Sequence, residues 1–377
     1  MAYAGAAGSA NQPGVNPSRL RQSAYMRFAK LDAGAPFNLA ASGVPGIALR
    51  ELEPDLAALE IHGPNSYGEM DLREALGARF GLGAECVVTA EGASMANHLA
   101  LAALIEPGDE VLLESPTYEL IASTLLYLGA DLRRFERSAE TDWKLDAQSV
   151  QSLITPRTRL IVTTNLHNPT SARDDDQEIV RLAAAAEEVG ARLLIDEVYR
   201  ELTIVDDQAT TLFRLGGNIV VTSSLTKAYG LSGLRCGWIL AQPELTERMW
   251  RLNDLYYSIT PYLTDQLSLL ALGRLSRLRA RAHDLLEPNR LAYREILGGH
   301  PALDQVIPAA GTTVFPRVLA GRVDDFFQFA RSRFETSFVP GRFFERSDHI
   351  RVGLAGDPAI MREGYQRLAE ALSLWPL

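Results

Sequence analysis

The chain has 377 residues, 47% of them hydrophobic and 22% charged, enough for a full core and, at ordinary domain sizes, roughly two domains. A formal net charge of -10 gives no electrostatic draw toward nucleic acid or an anionic membrane. No apolar run reaches the roughly 18 residues of a membrane span, and neither the two cysteines nor the histidines show metal-ligand spacing. A cytoplasmic protein without metal, with both thiols reduced, is expected.

Residues 1–18 are rich in Gly, Ala, Asn and Pro and read as a flexible arm. A helix is expected over Arg19 to Lys30, then a strand entering a loop at Phe37 to Pro45. From about residue 69 apolar strands and helices alternate. The expected strands are Cys86 to Thr89, Glu110 to Glu114, Arg159 to Thr164, Arg192 to Asp196, Ile219 to Ser223 and Gly237 to Ala241. Helices are expected at Asp71 to Phe80, Ala93 to Ile105, Tyr118 to Leu128 and Glu178 to Val189. Cys86 and Cys236 fall in apolar, strand-like runs, and the basic cluster Arg133, Arg134 and Arg137 reads as a solvated face.

Strands apolar throughout and alternating with helices indicate an α/β, three-layer domain with a mainly parallel sheet. The domain boundaries follow as a large unit over 46–270 and a small α+β unit from 19–45 plus 290–377. A long helix near 264–295 joins them, and short strands fall at Thr312 to Arg317, Ser337 to Val339 and Ile350 to Gly353.

Open α/β sheets bind ligands beyond the carboxyl ends of their strands. Four such ends carry polar residues: Glu91-Gly92-Ala93-Ser94, Asn165 to Thr170, Asp196 with Tyr199, and Ser224 to Lys227. A lysine beyond a buried strand is desolvated, which lowers its pKa and suits it to imine formation. Glycine and serine at a helix start suit a phosphate. A carboxylate such as Asp196 is suited to holding a pyridine nitrogen protonated.

The motifs NSYG (65–68), GAS (92–94), SPTY (115–118), NLHNPT (165–170), DEVY (196–199), SLTKAYGLSGLRCGW (224–238) and RVG (351–353) stand in order. With them the chain resembles, from about Tyr25 to its end, the fold-type I pyridoxal-phosphate enzymes and among them the class I/II aminotransferases. The resemblance implies an aspartate-aminotransferase-like fold with a seven-stranded sheet, pyridoxal 5'-phosphate as cofactor, and amino acid and 2-oxo acid substrates. It makes Lys227 the Schiff-base lysine and proton carrier, Asp196 the partner of the pyridine nitrogen, and Asn168 and Tyr199 the partners of the phenolic oxygen. Tyr118 stacks on the ring; Gly92, Ala93, Ser94, Ser224 and Arg235 hold the phosphate. Tyr67 reaches the phosphate of a neighbouring subunit, which implies a homodimer with shared active sites. Arg351 grips the substrate α-carboxylate through its guanidinium fork, and the backbone at Gly43 approaches the same group.

One departure is Ser171, where the family motif commonly has glycine; if that position needs a positive φ, serine is strained by about 1 kcal/mol. His167 reads as structural or solvated. The side-chain pocket is expected to draw on Tyr25, Arg27 and Phe28, with Tyr256 or Tyr257. Tyr25 to Lys30 with AASGV, TKAYGLSGLR and FVPGRFF is also similar to the capreomycidine-synthase type of cyclase, so elimination, replacement or ring formation is an alternative to transamination. DEVYRE, with Tyr199, keeps the aminotransferase tyrosine. Tyr118 counts against the α-oxoamine synthases, which usually stack a histidine on the ring, and the short N-terminal segment against a fused DNA-binding module.

Overall fold

The computed structural model describes residues 22–204, 209–256 and 258–375. The arm expected over 1–18 and the start of the first expected helix lie outside them. Seven strands build one sheet: β1 (Val87–Glu91), β2 (Glu110–Ser115), β3 (Asp131–Glu136), β4 (Thr158–Thr164), β5 (Arg192–Asp196), β6 (Ile219–Ser224) and β7 (Cys236–Leu240). Their spatial order is β1-β7-β6-β5-β4-β2-β3. Pairing is parallel except at β7, which runs antiparallel to β1 and to β6. Cys236 opens β7, whereas Cys86 sits in the turn before β1.

Alternate residues of each strand point to opposite faces, and both faces are apolar. Val88, Val111, Leu113, Leu160, Val162, Leu194, Val220 and Ile239 pack on one side with helices α3 (Gly92–Leu104), α4 (Glu119–Leu128) and α8 (Pro243–Asn253). Val87, Leu112, Ile161, Leu193, Ile195, Val221 and Leu240 pack on the other with α2 (Met70–Arg79), α5 (Ala147–Gln151) and α6 (Asp176–Glu187). Parallel strands then bring the ends of β2, β4, β5 and β6 to one edge.

Asp131–Glu136 carries no strand signal because DLRRFE lacks apolar alternation. It is an edge strand pairing only with β2 in this sheet, and charge on an edge discourages further pairing. Beside it, Arg137 is not solvated: it is 2% exposed. Its Nε donates to Glu114 Oε2 at 2.9 Å, Nη1 and Nη2 to the Asp174 carboxylate at 2.7 and 2.8 Å, and the remaining donors to Trp143 O and Thr163 Oγ1. All five guanidinium hydrogens are therefore used. Burial pushes the Glu114 carboxyl up to about 7 against the pull of Arg137 and of the Thr163 and Thr164 hydrogen bonds, and the nearby Asp174 carboxylate adds to the rise.

The remaining described chain is α1 (Ala24–Leu31), the one-turn α7 (Thr226–Tyr229), α9 (Tyr262–Leu272), α10 (Leu275–Leu297), α11 (Val323–Phe334), α12 (Pro358–Leu374) and several short strands. Instead of one helix over 264–295 there are two, parted at Gly273, a weak helix former. Ile350–Gly353 is the middle strand of three, between Thr313–Val314 and Val339–Pro340. Phe37–Asn38 pairs in parallel with Thr336–Ser337, joining the start of the chain to this later region. The strand expected from Thr312 to Arg317 is split around Phe315 and Pro316. Among the described residues no helix is long and apolar enough to cross a membrane.

Replacing Arg137 by Ala strands two buried carboxylates. We expect it to lower unfolding free energy by about 3–5 kcal/mol, measured by urea denaturation.

Candidate active site

A cavity of about 210 Å³ opens at the carboxyl edge of the sheet. β6 ends at Ser224 and turns at once into α7, which Gly230 stops in the left-handed conformation at φ +70°. This short turn carries Lys227 into the cavity wall. Its carbonyl accepts the Val44 N–H at 2.9 Å and its Nζ donates to Ser42 Oγ at 3.2 Å. Ser42 Oγ also accepts the Tyr199 hydroxyl at 2.9 Å. Gly43 lies against the lysine side chain, where a Cβ would stand 3.2 Å from Lys227 Cδ.

Asp196 closes β5 at the cavity floor. Its oxygens accept from Asn97 Nδ2 at 2.7 Å and from the Val198 N–H at 3.0 Å, both neutral donors. Burial pushes its carboxyl above the usual range, opposed by the Asn97 and Val198 hydrogen bonds and by the positive charge of Lys227. A desolvated carboxylate held only by neutral donors is suited to a protonated ring nitrogen. Tyr118, at the N-cap of α4, supplies an aromatic wall, its hydroxyl 3.6 Å from Met26 Sδ.

At one end of the cavity lie Ala93, Ser94, Ser224, Thr226 and Arg235. Ala93 and Ser94 belong to the first turn of α3, whose leading N–H groups have no side-chain cap. Gly92 has φ +78°, and a Cβ there would lie 2.3 Å from Arg235 Nη2. Gly237 is pressed as closely, its Cβ position 2.4 Å from the Gly92 carbonyl carbon. Bare helix N–H groups, three hydroxyls and a guanidinium around a glycine turn fit a phosphate dianion.

Beyond Asn168 stands Arg351, 1% exposed. Its Nη1 donates to Asn168 Oδ1 at 3.1 Å; its Nη2 is 3.0 Å from the Tyr25 hydroxyl and 3.1 Å from Ala40 O. The Nε has no protein partner. Burial opposes ionisation of the Tyr25 phenol, but Arg351 and Lys227 outweigh it and bring the pKa below its ordinary value. The Asn168 loop is tied to the later strands by Ser171. That residue has φ +60°, and its hydroxyl accepts the Thr313 N–H at 3.2 Å and pairs with Thr313 Oγ1 at 3.0 Å. The departure from glycine thus supplies a cross-link as well as a left-handed turn.

Ala93, Ser94, Tyr118, Asn168, Asp196, Tyr199, Ser224, Lys227 and Arg235 meet in the cavity as expected from sequence. Tyr67 stands away from it, 37% exposed, between the Trp250 ring and the Arg251 guanidinium. Of the expected side-chain pocket, Phe28 is buried against Phe327 and Phe343, Arg27 is exposed near Asp32, and Tyr256 bonds His98; Tyr257 lies outside the described residues. His167 is buried and structural, bridging Thr170 and the Pro116 carbonyl. Sequence reasoning missed Ser42, Met26 and Asn97. Asn97 was within reach, one helical turn after Ser94. A larger cleft of about 790 Å³, lined by 170–176, 202–204, 286–287 and 306–311 among others, contains none of the expected site residues.

A mainly parallel seven-stranded sheet with a lysine, a buried carboxylate and an anion cradle at its carboxyl edge defines the class: a pyridoxal-phosphate enzyme of the aspartate-aminotransferase-like fold. The chain belongs to the aminotransferase class I and II family, whose model matches residues 28–368, and its cofactor is pyridoxal 5'-phosphate. It is 29% identical over 351 residues to capreomycidine synthase of Streptomyces vinaceus, covering 90% of each chain. To the arginine–pyruvate transaminase of Pseudomonas aeruginosa it is 26% identical, covering 92% of each. A pyridoxal-phosphate-dependent aminotransferase from Streptococcus suis superposes with a TM-score of 0.86 at 25% identity, covering 94% of this chain and 97% of the other.

Substituting Gly92 by Ala adds a Cβ against Arg235 at a positive φ, a strain of about 1–3 kcal/mol. We expect cofactor affinity to fall about tenfold or more, read by fluorescence titration of the cofactor-free protein. Gly299→Ala, where a Cβ meets nothing within 4 Å, is the control.

Proposed function

We propose that the protein is an aminotransferase that moves the α-amino group of an amino acid to a 2-oxo acid in a two-stage, ping-pong cycle. One observation carries this reading: Lys227, Asp196 and Asn168 share one cavity, and Asn168 is bonded directly to the buried Arg351. Bound pyridoxal phosphate supplies a carbon that takes up the amino group and a ring that accepts electron density from the α-carbon.

The chain's own residues do the rest. Arg351 holds the α-carboxylate by paired, charge-assisted hydrogen bonds, and the substrate displaces the Tyr25 phenol from Nη2 to reach it. Asn168 fixes the guanidinium from the other side. Lys227 Nζ takes the α-proton and returns it as general base and acid. Asp196 would keep the ring nitrogen protonated, Tyr118 would cover the ring, and Tyr199 with Asn168 would bond its phenolic oxygen. Ser94, Ser224, Arg235 and the α3 N-terminus hold the phosphate. Gly43 serves by leaving room for the lysine side chain.

The active unit in this reading is a homodimer. The segment carrying Tyr67 packs on the start of α9 through Glu60 N–H to Gln266 and Asn65 to Thr260, and Ile61, Leu255, Ile259 and Leu263 are exposed around it. An apolar face of this kind suits a second copy, with Tyr67 turned toward the partner's phosphate. The pairing of Phe37–Asn38 with Thr336–Ser337 supports a small unit made of 19–45 with 290–377 beside a large unit over 46–270.

A second reading is favoured by the similarity to capreomycidine synthase over 90% of the chain: the same residues would serve ring formation or elimination. The two separate on products. Incubating holoprotein with a panel of amino acids, arginine first because one relative is named for it, is expected to yield the matching 2-oxo acid. Pyridoxamine phosphate is then extractable from the protein, and pyruvate restores the starting form. Product without pyridoxamine phosphate establishes the second reading instead. Lys227→Ala is expected to lower kcat by about 10²–10⁴-fold. Arg351→Lys is expected to raise KM about 10–100-fold by loss of the fork. Light scattering on the holoprotein is expected to give twice the chain mass; a monomer rejects the shared-site arrangement.

A further inference from the structure

Ser42 is 6% exposed, lines the cavity, and carries no role in the functional reading above. Its oxygen receives two hydrogen bonds, from Lys227 Nζ at 3.2 Å and from the Tyr199 hydroxyl at 2.9 Å. The residue is held on both sides. Its own carbonyl accepts Thr312 Oγ1 at 2.8 Å, and two residues on, the Val44 N–H binds the Lys227 carbonyl at 2.9 Å. Gly43 between them passes close to the lysine stem. Backbone and side chain of Lys227 are thus both gripped by one three-residue segment, so the serine oxygen has little freedom to leave the amine. A hydroxyl that accepts twice still has a hydrogen to donate.

We propose that Ser42 is a positioning residue for Lys227, holding the free amine toward the cavity and coupling it to the Tyr199 hydroxyl through one shared oxygen. The proposal deepens the aminotransferase reading, since a lysine released from the cofactor must be kept aimed at the α-carbon between its two proton transfers. It also stands without that reading, because the contacts belong to the lysine itself. The other groups facing Lys227 are Asp196 from β5, Tyr25 from α1 and Arg235 across the cavity.

The experiment uses cofactor-free, full-length protein. Lys227 is acetylated at a series of pH values, and the extent of labelling at that residue is read by peptide mass spectrometry. Ser42→Ala removes an acceptor of the protonated amine, so the labelling midpoint is expected to fall by roughly half to one pH unit, the equivalent of one hydrogen bond. Ser42→Thr, which keeps the hydroxyl, restores it. Tyr199→Phe removes the competing donor, leaves the oxygen a better acceptor, and moves the midpoint the other way; the double variant matches Ser42→Ala. Opposite shifts from two neighbouring deletions are not what a merely structural role produces. An unmoved midpoint in Ser42→Ala with an unchanged melting temperature overturns the proposal, as does a shift of the same sign in Tyr199→Phe. Absence of transamination by the unsubstituted holoprotein, with these shifts still observed, would refute the functional reading and leave the positioning role intact.

Discussion

The grip on Lys227 is the contact from which the site is organised. Ser42 and Lys227 are 185 residues apart in the chain, and they meet because the segment 42–46 lies along the turn after β6. Gly230 is needed for this approach: at φ +70°, a Cβ there would come within 2.3 Å of the Pro45 carbonyl. The same Pro45 carbonyl accepts Arg281 Nη1 at 3.0 Å, so α10 is drawn into the clasp. Sheet edge, early segment and long helix are registered against one another at Lys227. The price of such a contact is a loop closure that grows only slowly with chain length.

Two buried arginines differ in how fully their donors are matched. Arg137 has every donor matched by Glu114, Asp174, Thr163 and a carbonyl, as a buried cation must if it is to be structural. Arg351 is as deeply buried, yet its Nε lacks a protein partner and one of its bonds goes to a phenol rather than a carboxylate. It faces the Tyr25 and Phe344 rings at 5.6 and 4.9 Å, which lessens its desolvation without satisfying its donors. Asp196 is the negative counterpart, a carboxylate with amide donors only. Asp196 in the cavity and Arg351 behind Asn168 are incompletely matched charges of opposite sign, of the kind a ligand completes.

Most of the sheet and the polar strand ends were legible in the sequence, because buried parallel strands are written as apolar runs and their ends as polar ones, whereas Tyr118 and Arg235 were legible only through the family resemblance. Asp196 closes its strand, and Lys227 and Asn168 come shortly after the ends of theirs at Ser224 and Thr164. The edge strand Asp131–Glu136 was not legible, since a strand with one partner needs no apolar face. Ser42 was hidden for a different reason: a serine among small residues carries no periodic signal, and its partners are set by tertiary approach alone. Arg137 misled through its neighbours, Arg133 and Arg134, which are partly exposed on β3 while it turns inward just past the strand's end. Phe28 and Tyr25 lie three residues apart on α1, yet only Tyr25 reaches Arg351, and helical spacing cannot say which turn faces a ligand.

The Arg137 cluster also bears on how this sequence can change over time. Its members come from β2, the region just past β3 and the loop after Ser171. Losing Arg137 first strands two buried carboxylates, whereas losing Glu114 or Asp174 first leaves the guanidinium one carboxylate. The cluster is therefore a point of epistasis, where the order of replacement decides how stable each intermediate is.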